Sequence, residues 1–367
     1  MAEGVYLGLM SGTSMDGVDA ALVRFAAARV ELVAARTTPY EAALRDALGV
    51  LAAGGATRDP IDELGRLDRA VGEAFGAAAA ALLAEAGVPA KEVQAIGSHG
   101  QTIRHRPDYG FSIQIGDAAR IARASGITTV ADFRRADLAA GGEGAPLAPI
   151  FHRAFFADPD ETRGVLNLGG IANLTLLAPA RPVVAFDVGP ANILLDPLMR
   201  ETTGEACDRD GRLAATGRVD EALLAALLAD PWFARPPPKS SGPEYFNLAW
   251  LRRHAGSAAL APADLAATLT ELSAAAVALA LDAQDVRPAR IFGCGGGVHN
   301  PELMRRLAAR LPATVLSTTA ELGVDPDYVE AICFAWLAGE TLAGRPGNLP
   351  EVTGARRAVV LGATFHP

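Results

Sequence analysis

Val5-Tyr6-Leu7-Gly8-Leu9-Met10-Ser11-Gly12-Thr13-Ser14-Met15-Asp16-Gly17-Val18-Asp19-Ala20-Ala21-Leu22-Val23 sets two apolar, strand-like runs on either side of a turn of Gly, Ser, Thr and Asp. Gly12 and Gly17 permit positive φ and leave backbone N–H groups uncovered, while Ser11, Thr13 and Ser14 add hydroxyls. Such a turn suits a polyphosphate. Asp16 and Asp19 would repel phosphate by themselves. Mg²⁺ reconciles them, because it binds through one or two carboxylates plus phosphate oxygens. An ordinary β-hairpin turn uses the same residue types. The rest of the chain has to separate the two readings.

Working outward, the pattern returns. Gly164-Val165-Leu166-Asn167-Leu168-Gly169-Gly170-Ile171-Ala172-Asn173-Leu174-Thr175-Leu176-Leu177 is again strand, glycine turn, strand. A further strand over Val183–Phe186 is expected to stop at Asp187. Later, Arg290-Ile291-Phe292-Gly293 leads into Cys294-Gly295-Gly296-Gly297, and Pro301 takes the favoured first position of a helix. Two glycine hairpins can grip a triphosphate from opposite sides of a cleft, and a third glycine loop opening onto a helix can hold the nucleoside. No single loop is specific; three in this order within one chain are much more so.

Between these loops, strand-like and helix-like segments alternate, which predicts an α/β architecture. Helices are expected over 40–52 and 61–86, and strands over 93–100 and 127–133. Residues 113–124 should begin extended and turn helical after Gly116-Asp117. The Gly/Pro-rich stretch 139–149 is the expected crossing between domains. This divides the chain into 1–138 and 139–349, with the segment from about 350 to 367 packing back on the first.

Composition narrows the function classes. The chain has 367 residues, enough for two domains with full cores. A formal net charge of −9 argues against nucleic-acid or anionic-membrane partners. Lys91 and Lys239 are the only lysines, so lysine-based chemistry has few candidates. Cys207, Cys294 and Cys333 are far apart and odd in number, which fits small buried thiols in a reducing cytoplasm. No basic run precedes the first apolar segment, and no apolar run is expected to reach the roughly 20 residues of a membrane span.

Asp187, directly after an apolar strand, sits where α/β proteins bind ligands. A half-desolvated carboxylate there is a candidate general base; the alternative is a turn cap ahead of Gly189-Pro190. His99 and Gln114 at strand ends, together with Asp132 and Arg134, suit a polyhydroxylated substrate or an internal network. Glu330, opening a helix, is either a dipole-compensating residue or a substrate contact. The proline-rich loop 236–246 reads as a surface connector rather than a lid or subunit contact. No histidine pair has zinc spacing.

At this point Gly8–Asp19, His99-Gly100-Gln101-Thr102 and Gln114-Ile115-Gly116-Asp117 resemble the motifs of the anhydro-N-acetylmuramic acid kinases. So do Asn167–Asn173, Phe186-Asp187-Val188-Gly189-Pro190, Gly293–Gly297 and Val352–Ala355. The matches run in the family's order over nearly the whole chain. Val188 and Ala191 stand where Thr and Gly are expected, and neither replaces a reacting group. The resemblance implies a two-lobed, actin-like (ribonuclease H-like) ATPase fold with an ATP cleft between the lobes. It implies a cytoplasmic, homodimeric enzyme of cell-wall recycling. With ATP, Mg²⁺ and water, such an enzyme turns 1,6-anhydro-N-acetylmuramate into N-acetylmuramate 6-phosphate. By position, Gly12, Thr13, Ser14, Met15, Asp16, Gly17, Val18 and Asp19 would hold ATP phosphates, with Asp16 and Asp19 toward Mg²⁺. Asn167, Gly169, Gly170, Gly295, Gly296 and Gly297 would complete the nucleotide site, and Asp187 would be the catalytic base. His99, Gln114, Arg134 and Glu330 would face the sugar, with Arg134, Arg135 or Arg120 on its lactyl carboxylate. The rivals are a kinase of the same fold acting on an ordinary amino sugar, and a non-catalytic nucleotide switch.

Overall fold

A computed structural model describes residues 3–26, 29–55, 59–255 and 260–367. The chain folds into two units, 1–155 with 323–367, and 156–322.

In the first unit β1 (Gly4–Ser11), β2 (Gly17–Ala26) and β3 (Arg29–Pro39) form an antiparallel meander. The long strand β4 (Val93–Arg106) lies parallel to β1 on its other side. β5 (Phe111–Ile115) folds back on the far end of β4, and β6 (Thr129–Ala131) runs parallel to its near end. The strand order is β3-β2-β1-β4-β6, closed by a short antiparallel strand, Ala363–Phe365, on β6. β1 is buried from Tyr6 to Ser11 because helices cover both sheet faces. On one side Leu67, Val71, Phe75, Ala78 and Leu82 form a stripe at helical spacing along helix Pro60–Ala86 and pack on Leu7, Leu9 and Ile96. Asp59 caps that helix by accepting from the Ile61 and Asp62 N–H groups, and Gly87, in the left-handed region, ends it. On the other side helix Val329–Leu342 lies on the paired glycines Gly8 and Gly97, where a Cβ would overlap the Ala331 and Phe334 carbonyls. Glycine sets that close approach.

The second unit repeats the scheme. β7 (Arg163–Leu168), β8 (Ile171–Leu177) and β9 (Val184–Pro190) form a meander, followed by β10 (Arg290–Cys294) parallel to β7 and β11 (Val315–Thr318) parallel to β10. The order β9-β8-β7-β10-β11 matches β3-β2-β1-β4-β6 of the first unit. The internal duplication expected from two hairpins therefore extends to the whole sheet.

Three expectations need correction. The division falls at 155/156 and 322/323 instead of 138/139 and 349/350. Phe155 packs on Phe25 and Trp336, and helix Val329–Leu342 belongs to the first sheet, so these segments stay with unit 1. The loop 139–149 also belongs there, where Gly144 N–H donates to the buried Asp137 carboxylate, which takes further bonds from Asn348 and Thr353. Secondly, helix Pro262–Asp282 is 21 residues long and apolar enough for a membrane span, but 78% of its apolar window is buried in the core of unit 2. It is a core helix. Thirdly, Cys207 is exposed, while Cys294 and Cys333 are buried; all three are free thiols.

Candidate active site

In unit 1 the first turn is held from below and open above. The Ser11 hydroxyl, buried, sits 2.7 Å from the Gly17 carbonyl and 2.6 Å from Gln101 Oε1, and Gln101 Nε2 donates to the Gly12 carbonyl. Met15 adopts φ 56° as the turn closes with its N–H on the Gly12 carbonyl. Gly17 and Val18 are buried under β3, whereas Thr13, Ser14 and Asp16 are exposed. Around Gly12 a Cβ would meet nothing nearer than Ser14 Oγ at 3.8 Å, so the backbone is accessible to a ligand. Asp19 accepts from Thr37 Oγ1 at 2.6 Å, and Thr37 Oγ1 lies 3.3 Å from the Tyr328 hydroxyl. Burial raises the Asp19 pKa, the Thr37 bond opposes this, and Asp327 and Asp16 push it up again. Among the described residues no group of three or more His, Cys, Asp or Glu side chains forms a metal cage. The donor set fits Mg²⁺ carried in on phosphate, which needs only one or two carboxylates from the protein.

A second group lies at the end of β4. His99 is 4% exposed and stacks on Phe334 at 4.6 Å. Its Nδ1 faces the Gly100 carbonyl at 3.0 Å, and its Nε2 accepts from the Arg134 guanidinium at 2.8 and 3.2 Å. This pattern requires the neutral Nδ1–H tautomer, and burial followed by Arg134 holds the pKa well below the usual histidine value. Arg134 also donates to the Gly144 carbonyl at 2.7 Å, and burial lowers its own pKa to about 10. Glu330, in the first turn of helix Val329–Leu342, is exposed. The protein around it raises its carboxyl pKa while Arg134 lowers it. Gln114 donates to Ser112 Oγ and Thr102 Oγ1, in a network with His105, whose pKa is pushed down to about 4 by burial, Arg134 and Arg106. Arg120 and Arg135 sit in exposed ion pairs with Glu73, Asp117 and Asp132 instead.

In unit 2 the second and third glycine segments come together. The Gly169 and Gly170 carbonyls accept from the N–H groups of Ala191, Asn192 and Ile193 at the start of helix Asn192–Thr202, so Ala191 preserves the loop that glycine was expected to make. Asn192 Nδ2 adds bonds to the Leu168 and Gly169 carbonyls. Gly295, at φ +77°, packs so closely that a Cβ would overlap Asn167 Oδ1, while Gly296 stands in open space and Gly297 packs on Leu168. Asn300 then caps helix Pro301–Arg310, as Pro301 predicts.

Asp187 is the fourth of seven residues in β9 and so does not end the strand. That removes the turn-cap alternative. In register across the sheet, Cys294, Asn167, Asn173 and Asp187 form one row. The loop 236–246 is no loose connector: the Ser241 N–H donates to Asp187 Oδ2 at 2.8 Å, and the Asp187 N–H donates to the Lys239 carbonyl at 3.0 Å. Burial pushes the Asp187 pKa up to about 7; the Ser241 N–H lowers it, Glu244 raises it, and Lys239 lowers it. A carboxyl poised near neutrality suits proton abstraction. Thr37, Tyr328 and Ser241 were not singled out from the sequence; Gln101 and Asn173 lie within the motifs quoted, Asp327 reads as a polar lip beside Glu330, and Lys239 stands out only as one of two lysines.

Two α/β units of one strand order, each led by a glycine hairpin, make a duplicated, actin-like fold. The family model described as anhydro-N-acetylmuramic acid kinase matches residues 4–367, and the chain belongs to that family. A protein of that name from Xanthomonas campestris pv. campestris (strain 8004) is 59% identical over 98% of this chain and 97% of its own length. One from Xylella fastidiosa (strain Temecula1 / ATCC 700964) is 53% identical over 99% and 96%. Another from Coxiella burnetii (strain Dugway 5J108-111) is 47% identical over 98% and 97%.

Proposed function

We propose that this chain uses ATP and water to open 1,6-anhydro-N-acetylmuramate and phosphorylate O6, giving N-acetylmuramate 6-phosphate and ADP in cell-wall recycling. The observation that carries the reading is Asp187, a partly accessible carboxyl with a pKa raised to about 7, in a chain of this family. Asp187 takes a proton from the water that attacks C1; the C1–O6 bond breaks, and O6 receives the γ-phosphoryl group as ADP leaves. Arg134, oriented by neutral His99, pairs with the lactyl carboxylate, since a fixed guanidinium fork matches a carboxylate. Glu330 and Gln114 contribute hydrogen bonds to the sugar. Gly12–Asp19 takes the phosphates on open backbone and hydroxyls, and Asn167, Gly169, Gly170 and Gly295–Gly297 hold the rest of the nucleotide. Asp16 and Asp19 would hold Mg²⁺, which supplies positive charge to the transferring phosphoryl group.

The test is ADP release across anhydro-N-acetylmuramate, N-acetylmuramate and N-acetylglucosamine in ¹⁸O water. Turnover with the anhydro sugar, with label at C1 beyond spontaneous anomeric exchange, is expected. Preference for N-acetylglucosamine supports the ordinary kinase, and slow hydrolysis independent of sugar supports the switch. A cytoplasmic homodimer completes the reading; the three free thiols support a reducing compartment, and sedimentation at working concentration tests the dimer.

A further inference from the structure

The loop after Asp230 is built more firmly than a connector needs. Asp230, 9% exposed, accepts from the Trp232 N–H at 2.9 Å, the Tyr245 hydroxyl at 2.6 Å and Trp250 Nε1 at 2.9 Å. Both ends of the segment 232–245 are thereby pinned to one carboxylate. In its middle Lys239 is 8% exposed, with Nζ 4.5 Å from the Trp232 ring centre, 5.9 Å from that of Phe186, and donating to the Phe233 carbonyl at 3.0 Å. A buried ammonium is costly, and packing alone would be met by methionine, which has similar length. The charge is placed where it acts on Asp187, whose backbone N–H the same residue's carbonyl accepts and whose Oδ2 Ser241 binds two residues on. Among the described residues no other group hydrogen-bonds the Asp187 carboxylate.

We propose that Lys239 is a positioning residue for Asp187: its anchored ammonium holds the Lys239–Ser241 backbone, which fixes Oδ2, leaving Oδ1 as the oxygen that takes the proton. This rests on Asp187 being the base. The charged groups acting on Asp187 are Lys239 and Glu244, and Arg235 acts on Lys239. The lysine charge and the Ser241 N–H both favour the carboxylate, so losing either raises the pH at which Asp187 becomes active.

The test uses the purified full chain, with ADP release from anhydro-N-acetylmuramate measured from pH 5.5 to 9. Lys239→Met and, independently, Ser241→Pro, which deletes the N–H, are each expected to move the acid limb of kcat upward by about one pH unit. That is about a tenfold loss at pH 6 with a smaller loss on the plateau. The sugar KM should stay within about twofold, because the loop acts on the base. A folded variant whose acid limb stays in place overturns the proposal, as does failure of both variants to fold, which would make the loop purely structural. Asp187→Asn keeps the two failures apart. Near-normal turnover there removes the base itself; lost turnover with an unmoved limb in Lys239→Met removes only the role of Lys239.

Discussion

The two glycine hairpins share a strand order but are stabilised in opposite ways. The turn after β1 is held by side chains, Ser11 and Gln101, and presents exposed hydroxyls and carboxylates around an open Gly12. The turn after β7 is held mainly by backbone: its carbonyls are taken by the N–H groups at the start of a helix, with Asn192 Nδ2 adding two bonds, and Gly295 is wedged against Asn167. In unit 1 negative charge gathers at the turn itself, at Asp16 and Asp19. In unit 2 the carboxylate proposed as the base, Asp187, lies two strands away, on β9. One topology thus yields an open, acidic turn in one unit and a closely packed turn in the other. The difference lies in which residues satisfy the turn's backbone.

The largest effect should come from the base. Asp187→Asn is expected to lower kcat by about a thousandfold while leaving KM for ATP and sugar near that of the parent. A small loss would dissolve the contrast between the hairpins. Next, Gly12→Ala is expected to raise KM for ATP about tenfold without lowering the melting temperature, because the added methyl has open space in the protein and collides only with a bound phosphate. Gly295→Ala should instead lose roughly 1–3 kcal/mol of stability, since φ +77° and the overlap with Asn167 strain the fold itself. Equal behaviour of the two variants would erase the distinction between an open turn and a wedged one.

A smaller effect is expected from Asp19→Asn, a several-fold higher Mg²⁺ requirement in the same ADP-release assay. The smallest is a stability change at Asp187. Its folded pKa of about 7 lies above the ordinary carboxyl value, so its stabilising contribution is complete below about pH 4 and is lost as pH rises through 7. Asp187→Asn should therefore melt a few degrees above the parent at pH 8, with the gap closing by about pH 4. A gap independent of pH would argue against a raised pKa.

Much of this was legible along the chain. Apolar runs broken by Gly-Ser-Thr-Asp turns mark strands and hairpins because side-chain period and turn geometry are local. Asn300-Pro301 announces its helix for the same reason. The domain boundary was misplaced because Gly and Pro signal a bend, while membership in a unit depends on distant packing such as Phe155 on Phe25. Helix Pro262–Asp282 was overlooked as a span-length segment, and only its burial identifies it as core.

By itself, then, the sequence determined the alternation of elements, the three glycine turns and the residue types able to meet phosphate, sugar and proton. The tertiary structure decided that Asp187 lies within a strand, that Ser241 and Lys239 reach it across 54 and 52 residues of chain, and that His99 is neutral because it is buried and Arg134 donates to it. Local patterns follow from backbone geometry. Protonation states follow from burial and from charges that only folding brings together.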